Sequence, residues 1–277
     1  KEVKTATEIN IWRNTKEVLD WFKGINNKSK ASFIMFDIVE FYPSITKQLL
    51  TDALNFAEQY AKITDLDREI IFHAKKTLLF NSSTPWIKRN CEDMFDVPMG
   101  AYDGAEACEL VVCFILAQLS KEFKNTRNSK LSLGLYRDDG LAACHGSARQ
   151  IETTKKKICE IFRKNQLKIT IEANKKIVNF LDVTLNLNTE KHQPYLKPGN
   201  TPQYVHAKSN HPPTVIKAIP EGINKRLAEI SSNEDIFNSA IPVYQEALRM
   251  SGHNHELVYK KHPPKDKENR TRKRKII

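Results

Sequence analysis

Three acidic residues in apolar surroundings carry the chemistry of this sequence. Asp138 and Asp139 stand side by side in GLYRDDGLAA, residues 134–143, and Asp37 interrupts the apolar run SFIMFDIVEFYPSI, residues 32–45. A plain strand would send Asp138 and Asp139 to opposite faces. A tight turn between two short strands is therefore expected, with Gly140 relieving the backbone. Desolvating two acids near a core is costly, and a cation is the usual compensation. An Asp-Asp pair in a turn is ordinary by itself, so the reading sharpens with Asp37. Mg²⁺ takes one or two carboxylates and completes its shell with water and substrate phosphates. Asp37 on one strand and Asp138 on a neighbouring hairpin would hold two such ions about 3.5–4 Å apart, the separation used in two-metal phosphoryl transfer.

The acids lie within a longer pattern. DIVEFY (37–42), PMGAYDGAEACEL (98–110), LYRDDGLAA (135–143), LKITIEANKKIVN (167–179) and FLDVTL (180–185) follow one another in this order. They resemble motifs A to E of the reverse-transcriptase palm. The resemblance covers roughly residues 31–187 and extends more weakly to about Gly252. FLDVTL followed by KPGNTPQYVHAKSNHPP is similar to Penelope-like retroelement polymerases.

The resemblance implies an RNA-directed DNA polymerase of a retroelement. Its partners would be an RNA template, a DNA primer and dNTPs, and its cofactor two Mg²⁺ ions, with Mn²⁺ as an alternative. Asp37 and Asp138 become metal ligands, and Asp139 supports the site. Tyr42 falls where the family places a ring under the incoming sugar. Such a ring excludes a 2′-hydroxyl, whereas a ribonucleotide site would offer that hydroxyl a hydrogen bond. Phe41 beside it is a core member of the same segment. Gly100 resembles the small residue of the motif B turn, although Asp103-Gly104 stands where many relatives carry Ser or Pro. Of Lys175 and Lys176, Lys175 is favoured as the general acid toward pyrophosphate. Arg137 touches primer phosphate or is simply solvated. Two rivals stand beside this reading: another right-hand polymerase, viral RNA-dependent or telomerase-like, and a catalytically inactive reverse-transcriptase-like scaffold that binds nucleic acid.

These residues need strands and helices to position them. Ala31 to Asp37 reads as the first strand. Ala105 to Phe123 is a buried helix, Ser147 to Asn165 an amphipathic one, and Leu167 to Glu172 and Val178 to Leu187 are strands. The β-α-β-β-α-β order is ferredoxin-like: an α/β (α+β) palm with an antiparallel sheet and helices on one face. Glu8 to Gly24 reads as an amphipathic helix. Thr46 to Lys62 and Asp65 to Leu79 read as helices capped by Thr46 and by Thr64 or Asp65. Trp86–Lys88 and Met94–Val97 suggest a short hairpin. A proline-punctuated stretch from His192 precedes helices over Pro220–Ser231 and Glu234–Met250, a small thumb. The expected organisation is an N-terminal helix over 1–30, a palm over 31–190, a thumb over 191–259 and a basic disordered tail over 260–277. Only about thirty residues precede the first motif, so the family's fingers are largely missing and activity of this stretch alone is left open.

The formal net charge is +11 over 277 residues, with a pI near 9.3, which favours a polyanionic partner. Residues 260–277 hold nine Lys/Arg and two acids, a net of +7, and leave +4 for the rest. Arg270, Arg272, Lys273, Arg274 and Lys275 are candidate nucleic-acid contacts or a nuclear import signal. Five cysteines without C-x-x-C spacing and no secretory N-terminus point to an intracellular protein, nuclear or cytoplasmic. No apolar run reaches 18 residues, so no membrane span is expected. His253 and His255, with no cysteine nearby, do not make a zinc site.

Overall fold

The computed structural model describes residues 3, 9–76, 78–86, 94–124 and 131–260. In chain order the elements are β1 (Asn10–Ile11), α1 (Thr15–Lys23), β2 (Ala31–Ile38), α2 (Phe41–Ser44), α3 (Lys47–Glu58), α4 (Asp65–His73), β3 (Leu79–Asn81), β4 (Thr84–Trp86), α5 (Gly104–Lys124), β5 (Leu131–Tyr136), β6 (Asp139–His145), α6 (Ala148–Lys164), β7 (Ile169–Lys175), β8 (Ile177–Phe180), β9 (Val183–Asn186), β10 (Lys191–Pro194), α7 (Pro213–Glu229) and α8 (Glu234–Met250). The chain forms two compact units, residues 1–180 with 185–190, and residues 181–184 with 191–277.

The first unit is built on a five-stranded sheet of order β1-β5-β6-β2-β7. β1 runs parallel to β5, and the other neighbours are antiparallel. The succession β2-α5-β5-β6-α6-β7 is the expected β-α-β-β-α-β order. Alternation along β2 sends Ile34, Phe36 and Ile38 to one face and Phe33, Met35 and Asp37 to the other. The first face joins a core with Leu50 and Leu54 of α3, Val111, Ile115 and Leu119 of α5, and Ile158 and Phe162 of α6. α5 is buried because it is apolar over most of its circumference. α6 is capped by Ser147 and Gln150, each side chain meeting the other residue's backbone N–H.

The N-terminal segment departs from the sequence expectation. Helical spacing runs from Glu8, but the helix begins at Thr15 behind the Asn14 cap. Asn10 and Ile11 are drawn instead into pairing with Gly134 and Leu135. The tertiary ladder and a good cap together outweigh the apolar periodicity of the first turn. α1 then lies on the sheet's second face. Trp21 Nε1 donates to Ser132 Oγ at 2.7 Å, and Phe22 packs on Phe33 with ring centres 6.2 Å apart. Phe33 lies four residues from Asp37, about 13 Å along the strand. α1 thus covers the end of this face remote from the acids.

α3 and α4 start at the expected caps, Thr46 and Thr64. α4 stops at His73, and a hairpin of β3 and β4 follows. The hairpin read at Trp86–Lys88 and Met94–Val97 is not formed by the residues described there: Trp86 pairs with Leu79 and Phe95 bridges Lys76, while Ile87 and Lys88 lie outside the described residues. In the second unit α7 begins at Pro213, where a missing N–H costs nothing, and runs through Pro220 rather than starting there. Arg226 clasps the Asp182 carboxylate through Nε at 3.0 Å and Nη2 at 2.6 Å. His253 Nε2 meets the Val205 carbonyl at 2.9 Å. The basic tail beyond Lys260 lies outside the described residues. No helix among the described residues is long and apolar enough to cross a membrane.

Candidate active site

The β5–β6 hairpin closes through two residues, Arg137 and Asp138, since Tyr136 already pairs with Asp139. Arg137 carries the left-handed conformation, with φ 56°. A non-glycine residue held there is uncommon and is kept only by its surroundings. Gly140 does not relieve the turn as the sequence suggested. It sits inside β6 opposite Phe36, and a β-carbon on it would lie 2.2 Å from the Phe36 ring. The glycine admits an aromatic side chain from β2.

Asp37 stands at the end of β2 directly opposite Asp139. Directly opposed residues share a face, so both belong to the face turned away from α5. The Ile38 N–H donates to the Asp138 carbonyl at 3.1 Å, which ties the turn to β2. Burial raises the Asp37 carboxyl above the usual carboxylate range, and the nearby negative charge of Asp138 raises it further. Two carboxylates held in mutual repulsion, partly withdrawn from water, suit a divalent cation. Among the described residues no three His, Cys, Asp or Glu side chains form a metal cluster. Asp37 and Asp138 offer a carboxylate pair, which Mg²⁺ can use when water and phosphates fill its other positions.

α2 brings Phe41 and Tyr42 to the same end. Phe41 is buried in the core, and the Tyr42 ring meets it edge-on at 6.3 Å. Tyr42 lies beside Cys108 of α5. Burial raises the Tyr42 pKa, with Cys108 adding to it, while the charges of Arg137 and Asp138 act on it in opposite directions. Burial pushes the Cys108 thiol up to about 12, so it stays neutral. Phe41, Tyr42, Cys108, Tyr136 and Arg137 all line a cavity of about 250 Å³. Arg137 itself is exposed, its guanidinium 5.8 Å from the Tyr136 ring centre. Asp37, Asp138, Tyr42 and Arg137 are therefore brought together.

Gly100 has φ 90° and open space around it, as a turn that must admit a close neighbour requires. Tyr102 in the same loop is fully exposed. The unusual Asp103 has a physical account: its carboxylate pairs with Lys75 Nζ, and the Lys75 side chain is wholly buried. Asp103 thereby compensates a buried cation at the entrance to α5.

Lys175 is not brought to the acids. It opposes Phe33, four residues back from Asp37, and pairs with Glu172 at 3.0 Å. Lys176 is held by the Ser29 and Ala31 carbonyls. Lys168 was missed in the sequence, yet it stands at the acidic end. Its carbonyl accepts from the Val39 N–H at 2.9 Å, and it lies two residues before Thr170, the partner of Asp37. Only the register of β7 on β2 could have revealed it.

No family model and no curated protein matches the sequence. Solved structures match in fold. Telomerase from Candida albicans, solved with a fragment of telomeric RNA, superposes with a TM-score of 0.56 at 9% identity, over 89% of this chain and 43% of that one. The RNA-dependent RNA polymerase of a human picobirnavirus gives 0.51 at 8% identity, over 90% and 51%. The chain thus spans about half the length of these neighbours or less. The fold is that of a right-hand polymerase palm.

Proposed function

We propose that the chain is the palm, residues 31–190, and thumb-like region, residues 191–259, of an RNA-directed DNA polymerase of a retroelement. The observation that carries this reading is the convergence of Asp37, Asp138 and Tyr42 at one end of the sheet. Asp37 and Asp138, with Asp139 beside them, would hold Mg²⁺. A metal held there would supply a lowered pKa for a primer 3′-hydroxyl and charge stabilisation for the leaving pyrophosphate. The Tyr42 ring, fixed by Phe41 and Cys108, limits space beneath the sugar and favours dNTPs. Gly100 leaves room for the templated pair, and Arg137 is placed to meet a backbone phosphate. The register favours Lys168 over Lys175 as the proton donor to pyrophosphate. RNA template choice rests on the order of the five motifs, and the likeness to Penelope-like elements on FLDVTL followed by KPGNTPQYVHAKSNHPP.

The test is primer extension by a polypeptide that also carries sequence upstream of Lys1, with and without Asp138→Asn. The variant should lose dNTP incorporation while keeping its melting temperature and primer–template affinity. Incorporation within tenfold of the parent would falsify the metal-ligand assignment. A parent that binds primer–template yet incorporates nothing with Mg²⁺ or Mn²⁺ would favour the scaffold reading.

A further inference from the structure

The chain's net charge is placed unevenly. Residues 260–277 hold +7 of the +11. α6 carries Arg149, Lys155, Lys156, Lys157, Arg163 and Lys164 against Glu152 and Glu160, a net of +4. Everything outside these two segments sums to zero, since 11 − 7 − 4 = 0. The whole positive balance of the first unit therefore sits on one helix.

That helix has its apolar side committed. Ile151, Ile158, Ile161 and Phe162 are buried in the core, and Phe162 stacks edge-on against Phe36 at 5.3 Å. The opposite side is exposed at Arg149, Lys156, Arg163 and Lys164. Arg149, Lys156 and Arg163 recur every seven residues, which places them in one row about 10 Å apart along the axis. The other two cations are engaged: Lys157 pairs with Glu122 at 2.6 Å and Lys155 lies 3.9 Å from Glu152. No ion pair is found for the four outward cations among the described residues. They form a basic ridge.

The ridge points away from the acids. α6 packs on the face of β2 that holds Phe36, whereas Asp37 belongs to the other face. A helix about 10 Å thick, plus the sheet, separates the two. A strand held at Asp37 and Asp138 cannot touch the ridge at the same point along its length.

We infer that the outward face of α6 is a second nucleic-acid surface, which takes the phosphodiester backbone of a duplex without reading its sequence. Charge complementarity selects that partner: a regular row of three cations with Lys164 beside it, and no large exposed apolar residue among them, matches polyphosphate, and the buried apolar side leaves nothing to insert into a lipid bilayer. The inference needs nucleic acid as partner but not catalysis, so it can stand or fall apart from the polymerase reading.

The experiment compares the full chain with a variant carrying Arg149→Gln, Lys156→Gln, Arg163→Gln and Lys164→Gln, changes that keep helix propensity. Affinity for a blunt 30-base-pair DNA duplex is measured from 50 to 300 mM salt. Each phosphate contact contributes about 0.9 to the slope of log affinity against log salt, so removing four cations should flatten it by up to about 3.6. Affinities for duplexes of unrelated sequence should fall alike, and the melting temperature should hold. A slope changed by less than one unit overturns the ridge. Loss of binding to phosphatidylserine vesicles with an unchanged duplex slope also overturns it, in favour of a membrane. To separate the two readings, primer extension is followed at saturating primer–template. In the polypeptide that also carries sequence upstream of Lys1, retained extension with a flattened slope supports the ridge, and an inactive parent with a flattened slope sinks only the polymerase reading.

Discussion

The Phe36 ring occupies the volume that any β-carbon at Gly140 would need, 2.2 Å away at closest approach. This contact locks the strand carrying Asp37 to the hairpin carrying Asp138 and Asp139. Gly140→Ala should cost about 2 kcal/mol through overpacking, and Phe36→Leu in the same chain should return part of it. Chemical denaturation of the two single variants and the double variant gives the coupling. Additive losses, with no coupling near 1 kcal/mol, would show that the ring moves aside freely.

Asp37 sets a pH and metal dependence of stability. Its folded pKa lies above the unfolded value near 3.8, so the folded state holds the proton more tightly. Without cation, stability should decline as pH rises from that value through the raised folded one. Asp37→Asn should remove this descending limb. Mg²⁺ acts on the ionised pair: at ten times its dissociation constant it should stabilise the parent by about 1.4 kcal/mol and the Asn variant far less. Melting curves at several pH values, with and without MgCl₂, check both. Equal metal gains in the two proteins would remove Asp37 from the metal site.

Most of this site could be read from residue types in order. Asp37, Tyr42, Asp138 and Arg137 sit in short motifs, and local spacing fixed their elements. What depends on register could not be read. The glycine at 140 looked like turn chemistry because its reason, a ring on another strand, is 104 residues away in the chain. The start of α1 was misplaced because Asn10 and Ile11 answer to a partner strand beyond residue 130. Lys75, buried against Asp103, carried no periodic signal at all.

The lysine prediction follows from the same register. Lys168 lies beside Val39, two residues or about 7 Å past Asp37, whereas Lys175 lies opposite Phe33, about 13 Å back from Asp37. If a lysine protonates the leaving pyrophosphate, Lys168→Leu should lower the maximal rate about 100-fold or more, with little change in dNTP KM. Lys175→Leu should stay within about threefold. Single-turnover incorporation across pH gives the added signature, loss of the basic limb of the profile in Lys168→Leu alone. The reverse pattern would return the role to Lys175.

Tyr42 carries the last prediction, because two physical accounts of it disagree. As a sugar gate, its ring and a 2′-hydroxyl compete for one volume, so discrimination is repulsive. Tyr42→Ala then removes a clash without adding a contact. Ribonucleotide use should rise relative to dNTP use, while dNTP use stays level or falls modestly. As a packing residue against Phe41 and Cys108, Tyr42 predicts a cavity costing about 3 kcal/mol and equal losses for both substrates. Tyr42→Phe separates the parts. It keeps the ring and gives up only the hydroxyl beside Cys108, a loss of about 1 kcal/mol at most. A gate made by the ring should therefore survive in Phe and fail in Ala. Single-nucleotide incorporation of dNTP and rNTP, measured beside melting curves for all three proteins, gives the answer. An unchanged rNTP-to-dNTP ratio in a destabilised Ala variant would leave Tyr42 as core and nothing more.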